Sequence, residues 1–168
     1  MSLTLICYDG SPSAQHALAV ADRSLSRDPK VLLTVWSAPE RVHADSFGYE
    51  SPAGGPSYAR LCELFEQAAR DSGTRGQRLA AERGLDVEVR VERNRSTVWQ
   101  TILEIADELD VEMIVAGTHG TTAVSSELLG SVSAPLAQHS RRPLLLVPTP
   151  DRVDGVAGSE TAAARAST

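Results

Sequence analysis

The sequence has few of the features that mark disulfide-rich, metal-binding, secreted or membrane proteins. Its two cysteines, Cys7 and Cys62, are too few for a disulfide scaffold and lack the spacing of a metal site. The N-terminal segment MSLTLICYDG lacks the basic region of a signal peptide. No apolar run approaches the roughly 20 residues that span a bilayer. We therefore expect a protein of the reducing cytoplasm that does not contact a membrane.

Positive charge and aromatic side chains, which nucleic-acid-binding surfaces combine, are also scarce. The 16 Lys and Arg residues are outnumbered by 22 Asp and Glu residues, so the net charge is −6. The locally basic stretch 90–95 is interleaved with acids and is predicted to be solvated surface. Aromatic residues make up 4% of the chain, and we expect Trp36, Trp99 and Phe65 to pack in the core. These features oppose general nucleic-acid binding.

The sequence does contain a strict alternation of strand and helix patterns. Short apolar runs rich in β-branched residues alternate with stretches whose apolar residues recur at helical spacing. The predicted strands cover 3–8, 30–36, 86–92, 112–117 and 143–148. The predicted helices follow caps at Ser11 and Ser96, run from Leu61 to about Arg83, and cover about 131–139. The alternation predicts an α/β fold: a doubly wound, Rossmann-like, five-stranded parallel sheet with helices on both faces and the order 3-2-1-4-5.

The length of the chain suits a single domain, which we place at residues 1–150. Residues 37–57 are rich in Pro, Gly and Ser, and this long connection is predicted to be a mobile loop. Residues 151–168 are small and polar and show no core pattern. We expect them to form a disordered tail.

The glycine-rich stretch 117–133, GTHGTTAVSSELLGSVS, follows the fourth predicted strand, where ligands of such sheets bind. Gly117, Gly120 and Gly130 allow positive φ and have no Cβ that would block the approach of a ligand. The GSVS segment predicts a helix start near Ser131, and the unpaired amides there favour an anion. The stretch lacks the lysine that phosphate loops usually carry. The alternative is an ordinary loop, whose glycines permit a tight turn and whose serine caps the helix.

The spacing of this stretch resembles that of a known family. GTHG, nine residues and GSVS match the pattern G-x-x-G-x9-G-[ST] of the ATP-binding branch of the universal stress protein family. The resemblance includes residues 7–18, 31–36, 111–120 and 130–148. It covers nearly everything except the predicted loop and tail. The third strand exit, VERNRST, and Pro135 depart from the family pattern.

The resemblance implies a nucleotide site built from ten residues. Asp9 aligns with an acid that lies beside the ribose or adenine, and Val35 aligns with a residue whose backbone reads the adenine edge. Ala116 and Gly117 would line the nucleotide, His119 and Gly120 would lie along the phosphates, and Gly130, Ser131, Val132 and Ser133 would hold them. Taken alone, Asp9 is equally typical of a capped Asp-Gly turn, and Val35 is an ordinary core residue. His119 taken alone is more typical of a solvated loop than of a ligand contact.

The resemblance also implies a function. The chain would be a cytoplasmic ATP-binding protein that acts as a nucleotide-dependent sensor or adaptor in a stress response. ATP, or ADP or AMP, would be the cofactor, with Mg²⁺ held mainly through the phosphates. At most slow hydrolysis is expected, because the loop has no lysine or arginine to stabilise a transferring phosphoryl group. No catalytic or metal-ligating residue is predicted.

Two other classes of function are weighed against this one. An enzyme of the wider adenine-nucleotide-hydrolase superfamily usually carries a Ser-Gly-Gly-rich loop after the first strand, which DGSPSA does not provide. A protein-interaction module of the same fold that binds no nucleotide is opposed by the intact glycine motif. Residues 144–147 predict an apolar sheet edge, and the resemblance implies a homodimer through this strand, besides a protein partner of unknown identity.

Overall fold

The structure is a computed structural model that describes residues 3–25, 29–39, 58–120 and 129–148. The predicted mobile loop, 37–57, lies outside the described residues from residue 40 onward, and the predicted tail, 151–168, lies outside them entirely. In the described part of the chain, no helix is long and apolar enough to cross a membrane.

Strands and helices alternate as the sequence predicts. The strands are β1 (Thr4–Cys7), β2 (Lys30–Trp36), β3 (Val87–Arg93), β4 (Met113–Gly117) and β5 (Leu144–Val147). The helices are α1 (Pro12–Ser24), α2 (Tyr58–Ala81), α3 (Val98–Glu108) and α4 (Ser133–His139). The apolar runs therefore locate the strands closely, whereas three of the helices, α2, α3 and α4, begin at other residues than predicted.

The strands form one parallel sheet in the order β3-β2-β1-β4-β5, which confirms the predicted fold class and strand order. β1 lies between β2 and β4, and Ile6 of β1 is opposite Leu32 on one side and Val115 on the other. The order of the strands therefore reverses between β1 and β4. Ligands of doubly wound sheets bind at the carboxyl ends of the strands at such a reversal.

Helices cover both faces of the sheet. Ile6 and Leu32 belong to a buried cluster with Leu18 of α1, on the face that α1 and α2 cover. Their neighbours Leu5 and Leu33 point the other way, into a cluster with α3 and α4. Burial on both faces explains why β1, β2 and β4 read as mostly apolar runs. In these three strands, polar chemistry is left mainly to the ends.

The caps of α1 and α3 show how closely local signals locate a helix start. Ser11 caps α1 as predicted, since its Oγ accepts a hydrogen bond from the Ala14 N–H at 3.1 Å. α3 is capped by Thr97, whose Oγ1 accepts a hydrogen bond from the Gln100 N–H at 3.3 Å. The predicted cap at Ser96 is therefore wrong by one residue. Two adjacent hydroxyl residues offer the same capping chemistry, and only the packing of the helix selects one.

α2 is a continuous helix of 24 residues, although its two glycines predicted a ragged one that begins three residues later. Both glycines face the sheet. A Cβ on Gly76 would lie 2.6 Å from Leu32 Cδ2 and 2.8 Å from Tyr8 Cε1, and a Cβ on Gly73 would lie 2.8 Å from Val89 Cγ1. The glycines therefore let α2 approach the strands closely.

The three aromatic residues expected in the core have different surroundings. Trp99 stacks on His139 with ring centroids 5.0 Å apart, and the Arg93 guanidinium lies 5.5 Å from the Trp36 ring centroid. Phe65 is 47% exposed, so the prediction that it packs in the core is wrong. The buried residues of α2 begin at Ala69, after the turn that carries Phe65. Helical spacing identifies an apolar stripe but not where the sheet beneath it ends.

Candidate functional site

A cavity of about 670 Å³ opens at the carboxyl ends of β1, β2 and β4, next to the reversal of strand order. Small-molecule sites typically measure roughly 300–1,000 Å³. Its walls are the turn after β1, the end of β2, the first turns of α3 and residues 130–133. The cavity is therefore large enough for a small-molecule ligand.

The structure brings all ten predicted binding residues to the lining of this cavity. They are Asp9, Val35, Ala116, Gly117, His119, Gly120, Gly130, Ser131, Val132 and Ser133. They belong to separate segments of the chain that meet because parallel strands end at the same edge of a sheet. Their individual contacts show what each residue contributes.

Asp9 closes the turn between β1 and α1. Its Oδ1 accepts a hydrogen bond from the Ser11 N–H at 2.9 Å, and Gly10 between them has a φ of 82°. Asp9 is thus a capping residue, the alternative that the sequence leaves open. Its carboxylate is also exposed and lines the cavity. A Cβ on Gly120 would lie 2.9 Å from Asp9 Oδ2, so this glycine leaves room for the carboxylate.

The glycines of the motif do not use the positive φ that glycine allows. Among the glycines that the structure describes, positive φ occurs at Gly10 and Gly84. Gly117, Gly120 and Gly130 are therefore not required for a left-handed backbone. The absence of a Cβ does matter at these positions, because other atoms lie where a Cβ would be or close to it. These positions need glycine for the space that a side chain would occupy, not for a left-handed backbone.

Gly117 allows α1 to lie directly on the end of β4. A Cβ on Gly117 would lie 2.8 Å from Ser13 Cβ and 2.9 Å from the Ser13 carbonyl carbon. The buried Ser13 Oγ donates a hydrogen bond to the Val147 carbonyl and accepts one from the His119 N–H, both at 3.4 Å. Sequence reasoning missed Ser13, since no motif marks it. Its contacts join α1 to β5 and to the loop after β4.

Residues 130–132 form a turn before α4 rather than the first residues of that helix. α4 begins at Ser133, two residues after the predicted start near Ser131. Ser133 Oγ donates a hydrogen bond to the Thr118 carbonyl at 2.7 Å and accepts one from the Gly130 N–H at 2.9 Å. The Gly130 N–H also donates to the Thr118 carbonyl at 2.8 Å. These local bonds compete with helical ones and fasten the turn to the end of β4.

His119 is buried, so the interpretation as a solvated loop histidine is wrong. His119 is 9% exposed, and its Nδ1 lies 3.0 Å from Thr118 Oγ1. Its carbonyl oxygen accepts a hydrogen bond from Ser11 Oγ at 3.5 Å. The imidazole therefore has a defined place between the loop and the start of α1, on the lining of the cavity.

The floor and one wall of the cavity are apolar, and the sequence analysis assigned none of these residues to the site. Cys7 and Leu33 come from β1 and β2, and Val98 and Ile102 come from α3. The available signal was the alternation of strand side chains, which places Leu33 on the same face as Val35. These side chains give the cavity an apolar side between this face of the sheet and α3.

Two residues that line the cavity, Cys7 and Tyr8, have titratable side chains that are held in their neutral forms. Burial raises the pKa of the Cys7 thiol to about 12, and the charge of Asp9 adds to this effect. Burial also raises the pKa of Tyr8, although the nearby Arg75 acts in the opposite direction. Neither a thiolate nor a phenolate is therefore offered to a ligand near neutral pH. Across the described ranges, no group of three His, Cys, Asp or Glu side chains is placed to hold a metal ion.

Comparison with known proteins agrees with the fold and with the predicted family. Residues 3–148 match the sequence profile of the Universal stress protein family. A universal stress protein of Mycolicibacterium smegmatis is 32% identical over 149 residues, which are 85% of this chain and 44% of that protein. The chain spans about half the length of the curated relatives it matches.

Solved structures share the same architecture. UspA from Lactobacillus plantarum is 20% identical with a TM-score of 0.66, over 87% of this chain and 97% of that one. A universal stress protein in complex with cAMP is 21% identical with a TM-score of 0.62, over 88% and 97% of the two chains. The Archaeoglobus fulgidus protein in complex with dAMP is 19% identical with a TM-score of 0.59, over 88% and 97%. Since the family profile also matches residues 3–148, this chain belongs to the universal stress protein family.

Proposed function

We propose that this chain is a cytoplasmic protein that binds an adenine nucleotide in the cavity and acts as a nucleotide-dependent sensor or adaptor in a stress response. The observation that carries the proposal is the convergence, in one cavity of about 670 Å³, of the ten residues that match the nucleotide positions of the family. The cAMP and dAMP in two structures of the same fold support an adenine nucleotide as the ligand class.

The lining of the cavity suits the three parts of a nucleotide. The apolar side chains of Val35, Val98 and Ile102 would enclose the adenine. The exposed carboxylate of Asp9 would accept hydrogen bonds from ribose hydroxyls, since an ionised carboxylate only accepts. The turn at Ser131 would take phosphate oxygens on its backbone N–H groups, as turns with successive N–H groups do in other anion sites.

ATP, ADP and AMP are the candidate nucleotides, and Mg²⁺ would enter on the phosphates of ATP or ADP. We propose at most slow hydrolysis of a bound ATP. No lysine or arginine lines the cavity in the described part of the chain, so a transferring phosphoryl group would gain little stabilisation. An enzyme of the wider hydrolase superfamily would instead show sustained release of phosphate.

Calorimetric titration of the purified, nucleotide-free protein tests the proposal. We expect one-to-one binding of at least one of AMP, ADP and ATP. Asp9→Asn should weaken that binding by about 10- to 100-fold, because hydrogen bonds to a charged group contribute about 1.5–3 kcal/mol. Asp86→Asn is the matched control. Asp86 is an exposed acid next to the amino end of β3, whereas the cavity lies at the carboxyl ends of the strands. No binding of any of the three nucleotides at millimolar concentration would contradict the proposal.

We also propose that two copies pair through β5. β5 lies at the edge of the sheet, and its residues Leu144, Leu145 and Leu146 are only half-buried in the single chain. An apolar edge strand is usually paired or covered. Sedimentation at micromolar concentration should give the mass of a dimer, and a monomer there would contradict the pairing.

A further inference from the structure

The first turn of α1 holds the backbone of His119, a residue that lines the cavity. Ser11 Oγ donates a hydrogen bond to the His119 carbonyl at 3.5 Å, and Ser13 Oγ accepts one from the His119 N–H at 3.4 Å. Both serines are 2% exposed, and neither lines the cavity. The backbone of His119 is therefore fastened to α1 by residues that lie behind the lining.

Both serine hydroxyls donate one hydrogen bond and accept another. Ser11 Oγ also accepts from the Ala14 N–H at 3.1 Å, and Ser13 Oγ also donates to the Val147 carbonyl at 3.4 Å. A serine hydroxyl has one proton to donate, an N–H can only donate, and a carbonyl can only accept. These partners therefore fix the direction of each bond, and the Ser13 hydroxyl is oriented to accept from the His119 N–H.

Loss of the Ser13 hydroxyl would affect its two partners differently. The Val147 carbonyl also accepts a hydrogen bond from the Thr118 N–H at 3.0 Å, so it would stay paired. The His119 N–H would lose the acceptor that holds it against α1. A buried N–H that loses an acceptor is costly, so the peptide would move in search of another one.

A movement of the His119 peptide would change the cavity. Gly120 follows His119, and a Cβ on Gly120 would lie 2.9 Å from Asp9 Oδ2. Asp9 itself is held by the Ser11 N–H, which donates to its Oδ1 at 2.9 Å. The peptide would therefore shift two lining residues, His119 and Gly120, relative to a carboxylate that stays in place. A site that is formed only part of the time binds its ligand more weakly, in proportion to that fraction.

We infer that Ser13 is a positioning residue for the ligand of the cavity. Its buried hydroxyl holds the His119 peptide in the conformation that binds, although Ser13 lies outside the lining and outside the glycine motif. The inference rests on the proposed function, because it concerns the same cavity. The hydroxyl acts by pre-organising the loop after β4, so that binding does not have to order it.

Amide hydrogen exchange of the nucleotide-free protein, measured by NMR, tests whether Ser13 holds the peptide. In Ser13→Ala, the His119 N–H should exchange about tenfold faster, because it loses an acceptor. The Thr118 N–H keeps its bond to the Val147 carbonyl and is the internal control. A general loss of stability would accelerate both amides by the same factor. If the ratio of the two rates is the same in the parent protein and in the variant, the inference is overturned.

Calorimetric titration with AMP, ADP and ATP tests whether this position matters to the ligand. Ser13→Ala should weaken binding of the nucleotide that the parent protein binds most tightly by about tenfold. Ser140→Ala is the matched control and should leave the affinity unchanged. Ser140 Oγ also accepts from an N–H and donates to a carbonyl, both of Arg142, but it lies just before the amino end of β5. Unchanged affinity in Ser13→Ala overturns the inference and leaves the proposed function standing, whereas no binding by the parent protein overturns both.

A second variant keeps the test independent of how well Ser13→Ala folds. Ser13→Cys keeps a side chain at this position, but its sulfur is only a weak donor and acceptor. It should show the same two effects, faster exchange at His119 and weaker nucleotide binding, with smaller size. Urea unfolding establishes which variants are folded. A folded Ser13→Cys that shows neither effect, beside a Ser13→Ala that does not fold, would overturn the inference.

Discussion

Replacing Gly117 with alanine is expected to destabilise the protein whether or not a ligand is present. The new Cβ would lie 2.8 Å from Ser13 Cβ and 2.9 Å from the Ser13 carbonyl carbon. The second of these atoms belongs to the backbone of α1, so rotation of a side chain cannot relieve the contact. The helix must move away from β4, and it carries the buried Leu18 with it.

The size of the effect follows from what the movement disturbs. Overpacking of a core typically costs about 1–3 kcal/mol. The movement also strains the two hydrogen bonds of Ser13 Oγ, to the Val147 carbonyl and from the His119 N–H, each worth about 1 kcal/mol net. We expect a loss of about 2–4 kcal/mol, which domains stable by about 5–15 kcal/mol survive. With a urea m value of about 2 kcal/mol/M, the midpoint should fall by about 1–2 M.

Urea unfolding followed by circular dichroism measures this loss, and Gly120→Ala is the matched control from the same motif. A Cβ on Gly120 would lie 2.9 Å from Asp9 Oδ2, the end of an exposed side chain that can rotate. Gly120→Ala should therefore change the free energy of unfolding by less than about 1 kcal/mol. If Gly117→Ala unfolds at the same urea concentration as the parent protein, the close approach of α1 to β4 does not explain this glycine.

Three further outcomes are expected. Arg142→Gln breaks the ion pair with Asp107, whose atoms are 3.0 Å apart. Because Asp107 is largely exposed, the free energy of unfolding should fall by only about 1 kcal/mol, and by less at high salt. An unchanged urea midpoint would contradict this expectation. Gly76→Ala places a Cβ 2.8 Å from Tyr8 Cε1 and should cost about 1–3 kcal/mol in the same assay, whereas a neutral result would mean that α2 shifts freely on the sheet. The folded-state pKa of Cys7, about 12 against 9.0 for a free thiol, predicts labelling at pH 8 about 1,000-fold slower than in the unfolded chain. The free energy of unfolding should also fall as the pH rises above 9, because the Cys7 thiol of the unfolded chain then loses its proton first. Equal labelling rates of Cys7 in the folded and unfolded chains would contradict the raised pKa on which both expectations depend.

The strand order and the location of the cavity were predictable because they depend on patterns that a local segment carries. A strand buried on both faces is mostly apolar, as β2 is around Thr34, and strict alternation with helices leaves few topologies. The spacing of GTHG and GSVS then points to the end of β4. All ten predicted residues line one cavity because the ends of parallel strands share an edge.

The errors concern contacts between segments that are distant in the sequence. α4 begins at Ser133 and not near Ser131, because the Ser133 hydroxyl donates a hydrogen bond to the Thr118 carbonyl. The sequence of the helix does not reveal this partner. Phe65 lies on a helical stripe, but the sheet ends before it. The role of Gly117 depends on Ser13 in α1. In each case the local pattern was correct, and a tertiary contact decided the outcome.

The motif therefore combines two kinds of residue that its spacing alone cannot separate. Gly117, Gly130 and Ser133 build the turn, through close packing on α1 and hydrogen bonds to the end of β4. Gly120 and Ser131 line the same cavity without building the turn, one beside the carboxylate of Asp9 and the other at the exposed turn. A chain that lost its ligand would still need the first group in order to fold, but not the second. An intact motif is therefore evidence for the architecture of the turn, and only the residues that line the cavity without building the turn report on what it binds.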